Sequence, residues 1–150
     1  MKLEIRKGQN SDCDSIARFQ IEMALETENY RLDKETVLKG VEAVLNNERL
    51  GSYYVAVSGN QVVASLLTTF EWSDWRNGTV LWIQSVYVDG LFRKRGIYAS
   101  LYNHVKMLVD ADESLKGIRL YVDESNKDAR EVYTRLGMDG EHYRVFEWMK

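Results

Sequence analysis

The sequence predicts a mixed α/β (α+β) fold: a mostly antiparallel sheet with helices on both faces and one parallel strand pair. Two turn signals, Gly59-Asn60 and Asn77-Gly78, join runs of period-two alternation into antiparallel hairpins. A strand–helix–strand crossover from Thr79 to Val122 requires a parallel pair. Between and after these strands, apolar residues recur at helical spacing.

The elements follow in order. Leu3 and Ile5 alternate with polar neighbours as a first strand. Ser11 or Asp12 caps a helix running to about Glu28, with Ile16, Phe19, Met23 and Leu25 inward. Asp33 opens a second helix carrying Val37, Val41, Val44 and Leu45, and Gly51 follows its end. Ser52 to Ser58 and Gln61 to about Phe70 form the first hairpin. Thr79 to Asp89 is a long, aromatic-rich strand. A helix runs from about Lys94 to Asp110 on Tyr98, Leu101, Tyr102, Val105 and Leu108. Ile118 to Val122 is a short strand, and Asn126 to Leu136 a helix closed by Gly137. Tyr143 to Met149 reads as a last strand. The order is β-α-α-β-β-β-α-β-α-β.

Composition narrows the function. The 150 residues fit one domain, 1–150, and a 45% hydrophobic fraction supplies a core. A net charge of −3 disfavours nucleic acid as the main partner. No window approaches the roughly 20 apolar residues of a membrane span, and the charged start, Lys2, Glu4 and Arg6, is unlike a signal peptide. Cys13 is the only cysteine, which excludes an internal disulfide and disfavours a cysteine-based metal site. A cytoplasmic location is expected, with no metal.

The chemistry concentrates after the long strand. Arg93-Lys94-Arg95-Gly96-Ile97-Tyr98 opens the central helix. A helix start presents unpaired N–H groups and a partial positive charge. Three cations add to that field, and Gly96 lets an anion approach, so a diphosphate suits the segment. The same residues equally describe a basic helix start that meets solvent or an acidic neighbour. Neither G-x-G-x-x-G nor G-x-x-x-x-G-K-S/T is present, which sets aside Rossmann and P-loop readings. Asn126 and Tyr133 lie on one face of a later helix. Asn126 suits an N-cap as well as a ligand contact. Tyr133 suits the core as well as proton donation, since a phenol's ordinary pKa is about 10.

Together these residues resemble the GNAT family of N-acetyltransferases. The family's first motif has Gln or Arg, two free positions, Gly, one free position, then Gly or Ala. Arg93 to Ile97 match it, and Tyr98 departs from it. The later pattern N-x-x-A-x-x-x-Y-x-x-x-G-F/M appears as Asn126, Ala129, Tyr133, Gly137 and Met138. The element order matches across the chain.

The resemblance implies an acyl-CoA-dependent N-acyltransferase using acetyl-CoA, with the parallel strand pair splayed to admit the pantetheine arm. It places the arm on the backbone of Val86, Tyr87 and Val88, and the diphosphate on Arg93 and the amides of Lys94, Arg95, Gly96, Ile97, Tyr98 and Ala99. It places Asn126 on the cofactor and Tyr133 as general acid to the departing thiolate. The acceptor implied is a small-molecule or peptide amine, attacked directly.

The amine must be neutral to attack. Glu71 is the nearest candidate base by sequence, with Glu26 and Glu28 as further acceptor-side carboxylates; each is more readily read as a solvated surface charge. Trp72, Trp75 and Trp82, with Gln84, suit the wall of a cleft for a cationic or aromatic amine. The tryptophans are also compatible with a hydrophobic cap or a homodimer contact. Two other functions fit the same residues: a non-catalytic acyl-CoA-binding module, and a protein-lysine acetyltransferase that docks its partner through Trp72 and Trp75.

Overall fold

The computed structural model describes residues 2–150 of the chain. Its elements are β1 (Leu3–Lys7), α1 (Cys13–Glu28), α2 (Lys34–Asn46), β2 (Ser52–Ser58), β3 (Gln61–Ser73), β4 (Gly78–Val88), α3 (Ile97–Ala111), β5 (Leu115–Arg119) and α4 (Lys127–Arg135). The strands form one sheet in the order β1-β2-β3-β4-β5. The first four pair antiparallel, and β4 and β5 pair parallel across the α3 crossover. The chain divides into two compact bodies, one ending at Arg119 and the other spanning Leu120–Lys150.

Helices cover both faces of the sheet. Opposed residues share a face and successive ones alternate. Tyr53, Val55 and Val57 therefore lie on one face, where they pack with Ile16 and Ala17 of α1 and Val41 of α2. Tyr54 lies on the other, its ring 5.3 Å from that of His104 on α3. Ile97, Leu101, Tyr102 and Val105 are the buried stripe of α3. Among the described residues, no helix is long and apolar enough to cross a membrane.

Local chemistry explains most of the element ends. Asp33 caps α2 by accepting from Thr36 N at 3.0 Å. Asp12 does not cap α1: its carboxylate is taken by Arg6 and by the Gln9 amide, and a short 3₁₀ turn, Asn10–Asp12, precedes the helix. Leu25 of α1 stands exposed and not inward. Gly137, at φ 88°, sits just past α4, where its N–H bonds Thr134 O and Met138 N bonds Tyr133 O. That is a Schellman closure, which needs a left-handed residue.

Several boundaries differ from the sequence reading. β3 continues past Phe70 to Ser73, because β4 pairs it as far as Ser73↔Gly78. α3 begins at Ile97 and not Lys94, since Lys94 and Gly96 have φ of 62° and 76°, outside the helical region. β5 spans Leu115–Arg119 in place of 118–122, anchored by Thr79 N bonding Ser114 O. Tyr143 to Met149 is not a strand. Alternation there is not matched by a partner ladder, and Tyr143, Phe146, Trp148 and Met149 stand exposed.

Candidate functional site

The site begins in β4. Between the pairs Leu67↔Gln84 and Ser65↔Tyr87, two β4 residues, Ser85 and Val86, oppose the single Leu66. Ser85 has a left-handed φ of 55°. This is a bulge, which takes one residue out of the ladder and re-aims the strand. On the other edge of β4, pairing with β5 ends at Trp82↔Arg119 while β4 runs on to Val88. Val86, Tyr87 and Val88 therefore lie beyond the last β4–β5 pair.

The turn after β4 carries the cationic segment. Asp89 accepts from Leu91 N at 3.0 Å and sets a short 3₁₀ turn, Gly90–Phe92. Two left-handed residues, Lys94 and Gly96, then lead into α3. Such turns gather successive N–H groups into an anion-binding concavity. Gly96 precedes α3 and brings no capping side chain, and a helix start of that kind offers its first N–H groups to another acceptor. A Cβ built on Gly96 would meet nothing within 4 Å, so the space above it is open. Lys94 and Arg95 are exposed, Tyr98 and Ala99 are half-buried, and Ile97 is buried beneath the turn.

Arg93 is engaged elsewhere. Its Nε donates to Val88 O at 2.9 Å and its Nη2 to Glu26 Oε2 at 2.7 Å, with the guanidinium 5.2 Å from the centre of the Tyr87 ring. The acidic neighbour allowed by the sequence is therefore Glu26, on α1. The Tyr87 hydroxyl lies 2.7 Å from Glu26 Oε1 and 3.1 Å from Glu22 Oε2. Burial raises the proton affinity of the Tyr87 phenol, and the two carboxylates raise it further. Burial also raises that of Glu26, but the hydrogen bonds from Tyr87 and Arg93 outweigh it and hold the carboxyl below its ordinary value. The network ties the last turns of α1 to the end of β4. The sequence did not single out Glu22 as a partner of Tyr87, although its i, i+4 spacing from Glu26 was a usable signal.

A second polar group lies on the α1/α2 face. Gln84 Nε2 donates to Thr69 Oγ1 at 2.7 Å, and the Trp82 indole N–H to Glu71 Oε1 at 2.9 Å. Arg119 of β5 donates to Glu71 Oε2. Glu71, Trp82 and Gln84 thus share one face of the sheet. Trp72 follows Glu71 in β3 and points to the opposite face, while Trp75 stands exposed in the β3–β4 turn. Glu28 is the exposed last residue of α1. Arg119 was missed, because nothing in the sequence near it signals a partner across the sheet.

Within the second body, Asn126 caps α4 by accepting from Ala129 N at 3.1 Å. Tyr133 is half-buried on α4. Its backbone carbonyl also receives the closing bond of the helix.

The mixed sheet, with its parallel pair ending beside a bulge and a basic helix start after it, matches the fold of known acetyltransferase structures. The chain belongs to the acetyltransferase (GNAT) family, whose model matches residues 14–138. A possible acetyltransferase from Clostridium difficile 630 is 44% identical, with a TM-score of 0.92 over 100% of this chain and 99% of that one. Two further structures share the fold at 18% identity. One is a predicted acetyltransferase with acetyl-CoA from Clostridium acetobutylicum, with a TM-score of 0.75 over 97% and 96% of the two chains. The other is an aminoglycoside acetyltransferase from an uncultured soil metagenomic sample, with a TM-score of 0.77 over 99% and 95%. No curated protein matches the sequence.

Proposed function

We propose that this chain is an N-acetyltransferase that moves an acetyl group from acetyl-CoA to a primary amine by direct attack. The observation that carries the reading is the run from the Ser85–Val86 bulge to the open, uncapped turn at Gly96. It offers a re-aimed strand edge for an extended arm and converging amides for a diphosphate. The fit to the cofactor is good at Lys94 to Ala99. The diphosphate would rest on those amides and on the Lys94 and Arg95 charges, while Arg93 braces the turn against α1.

Acetyl-CoA supplies the acyl group in activated thioester form. The backbone at Val86 would hold the arm and polarise the acyl carbonyl. Tyr133 would give its phenol proton to the thiolate as the C–S bond breaks; that role rests on the family motif shared by Asn126, Ala129, Tyr133 and Gly137. Glu71 would take the proton of the incoming ammonium, directly or through water. Both of its oxygens already accept one bond, and each keeps a second lone pair for that task. Glu22, Glu26 and Glu71 favour a cationic acceptor.

Two measurements test the reading. Calorimetric titration with acetyl-CoA should show saturable binding, and silence at millimolar cofactor would end the proposal. Tyr133→Phe should lower turnover roughly 100-fold, the lower end for a general acid, with the cofactor Kd within about twofold of wild type. Unchanged turnover would remove Tyr133 from the mechanism.

A further inference from the structure

The β3–β4 ribbon projects past β2. Pairing between β2 and β3 ends at Ser52↔Thr68, yet β3 continues to Ser73 with β4 on its other side. Along Thr69–Ser73, no strand among the described residues pairs with the edge opposite β4. That stretch displays Phe70 and Trp72 on one face, 50% and 65% exposed, and runs into Trp75 at 89%. A bare strand edge flanked by exposed aromatics is a surface that folded proteins ordinarily cover or blunt with lysine or proline. Neither residue occurs between Thr69 and Ser73.

We infer that this edge is a two-fold interface: Thr69–Ser73 of one chain pairs antiparallel with the same residues of a second copy, joining two sheets into one. The register follows from the residues. Centred on Glu71, the pairing sets Phe70 opposite Trp72 of the second copy, twice, on one face. Thr69 then faces Ser73 on the other. Such opposed aromatics are the favourable cross-strand pairs of a sheet. A pairing centred one half-step away would put Phe70 against Glu71 and Trp72 against Thr69, separating the aromatics and burying rings on a carboxylate.

The centred register brings the two Glu71 side chains together at the axis, where like charges ordinarily repel. Each Glu71 already holds Arg119 and the Trp82 indole of its own chain. Two carboxylates and two guanidiniums then share the axis with no net charge. The lengths also agree. Ser73 of the second copy would lie beside Thr69, one residue short of the position that Ser52 occupies on β3. Its turn would bend back toward its own β4 and carry Trp75 toward Leu50, which is also exposed. The interface does not depend on the acetyl-transfer reading, although it would place Glu71 of both copies at one centre.

Sedimentation of the full chain from about 1 to 100 µM tests it, with a mass rising toward twice 17.5 kDa expected. Phe70→Lys and Trp72→Lys should each weaken the dimer by roughly 100-fold, since each change is made twice across the axis. Circular dichroism would verify that they fold. A disulfide reports the register in an otherwise intact edge. In a Cys13→Ser background, Glu71→Cys should cross-link to itself on mild oxidation, because directly opposed strand positions meet the Cα spacing of a disulfide. Thr69→Cys alone should not, whereas Thr69→Cys mixed with Ser73→Cys should. A monomer at every concentration, a dimer indifferent to both lysine variants, or a dimer in which Glu71→Cys fails to cross-link would overturn the inference. So would a monomer that instead binds an extended peptide along this edge.

Discussion

Asp12 is buried to 3% exposure, and its carboxylate carries three hydrogen bonds: from Arg6 Nη1 at 2.8 Å, from Arg6 Nη2 at 3.0 Å and from Gln9 N at 2.8 Å. This bidentate pair fixes β1 to the turn that starts α1. Asp12→Ala would leave a guanidinium and an amide without their acceptor. Breaking a buried pair from one side costs about 3–5 kcal/mol. The Arg6 side chain retains 28% exposure, so water recovers part of that loss and the lower end, about 3 kcal/mol, is expected. For a chain of this length 1 kcal/mol moves Tm by about 2–4 °C, so Tm should fall by roughly 6–12 °C. Burial alone would raise the Asp12 carboxyl, but the bonds from Arg6 and Gln9 prevail and hold it below its ordinary value. A group lowered in the folded state stabilises above its unfolded pKa of about 3.9, and that contribution disappears as pH falls through the folded value. Thermal unfolding followed by circular dichroism should therefore show a wide gap between wild type and variant at pH 7 that narrows toward pH 2. A drop under about 2 °C at pH 7, or a gap that ignores pH, would refute the reasoning.

Tyr87→Phe keeps the ring 5.3 Å from Phe19 but removes the hydroxyl between Glu22 and Glu26, and should cost about 0.5–1.5 kcal/mol by urea unfolding; an unmoved midpoint would show that water replaces the hydroxyl freely. Glu71→Gln should abolish the acidic limb of the pH–rate profile and lower turnover roughly 100-fold; a retained limb eliminates Glu71 as the base. Gly51→Ala should destabilise by roughly 1–3 kcal/mol, because Gly51 sits at φ 150° and an added Cβ would run into the Thr68 carbonyl oxygen. A wild-type urea midpoint for that variant would mean that the start of β2 shifts at no cost.

Some of this protein was fixed by interactions a few residues long, and those were legible. Gly59-Asn60 and Asn77-Gly78 specify their turns, Asp33 and Asn126 cap the helices that follow them, and Gly137 closes α4 in the conformation glycine tolerates best. The two motifs, Arg93 to Ile97 and Asn126 to Met138, are likewise contiguous, and with the element order they carried the family resemblance. Interactions that close over long stretches of chain were decided only by the tertiary structure. Arg93 meets Glu26 across 67 residues, Tyr87 meets Glu26 across 61, and Arg119 meets Glu71 across 48. No period or turn signal encodes such partners, because they arise from how strands and helices stack. The bulge at Ser85, the extension of β3 to Ser73 and the absence of a strand at Tyr143 to Met149 have the same origin. A strand exists only where a neighbour supplies its hydrogen bonds, and the residues of a single segment do not say which neighbour that is.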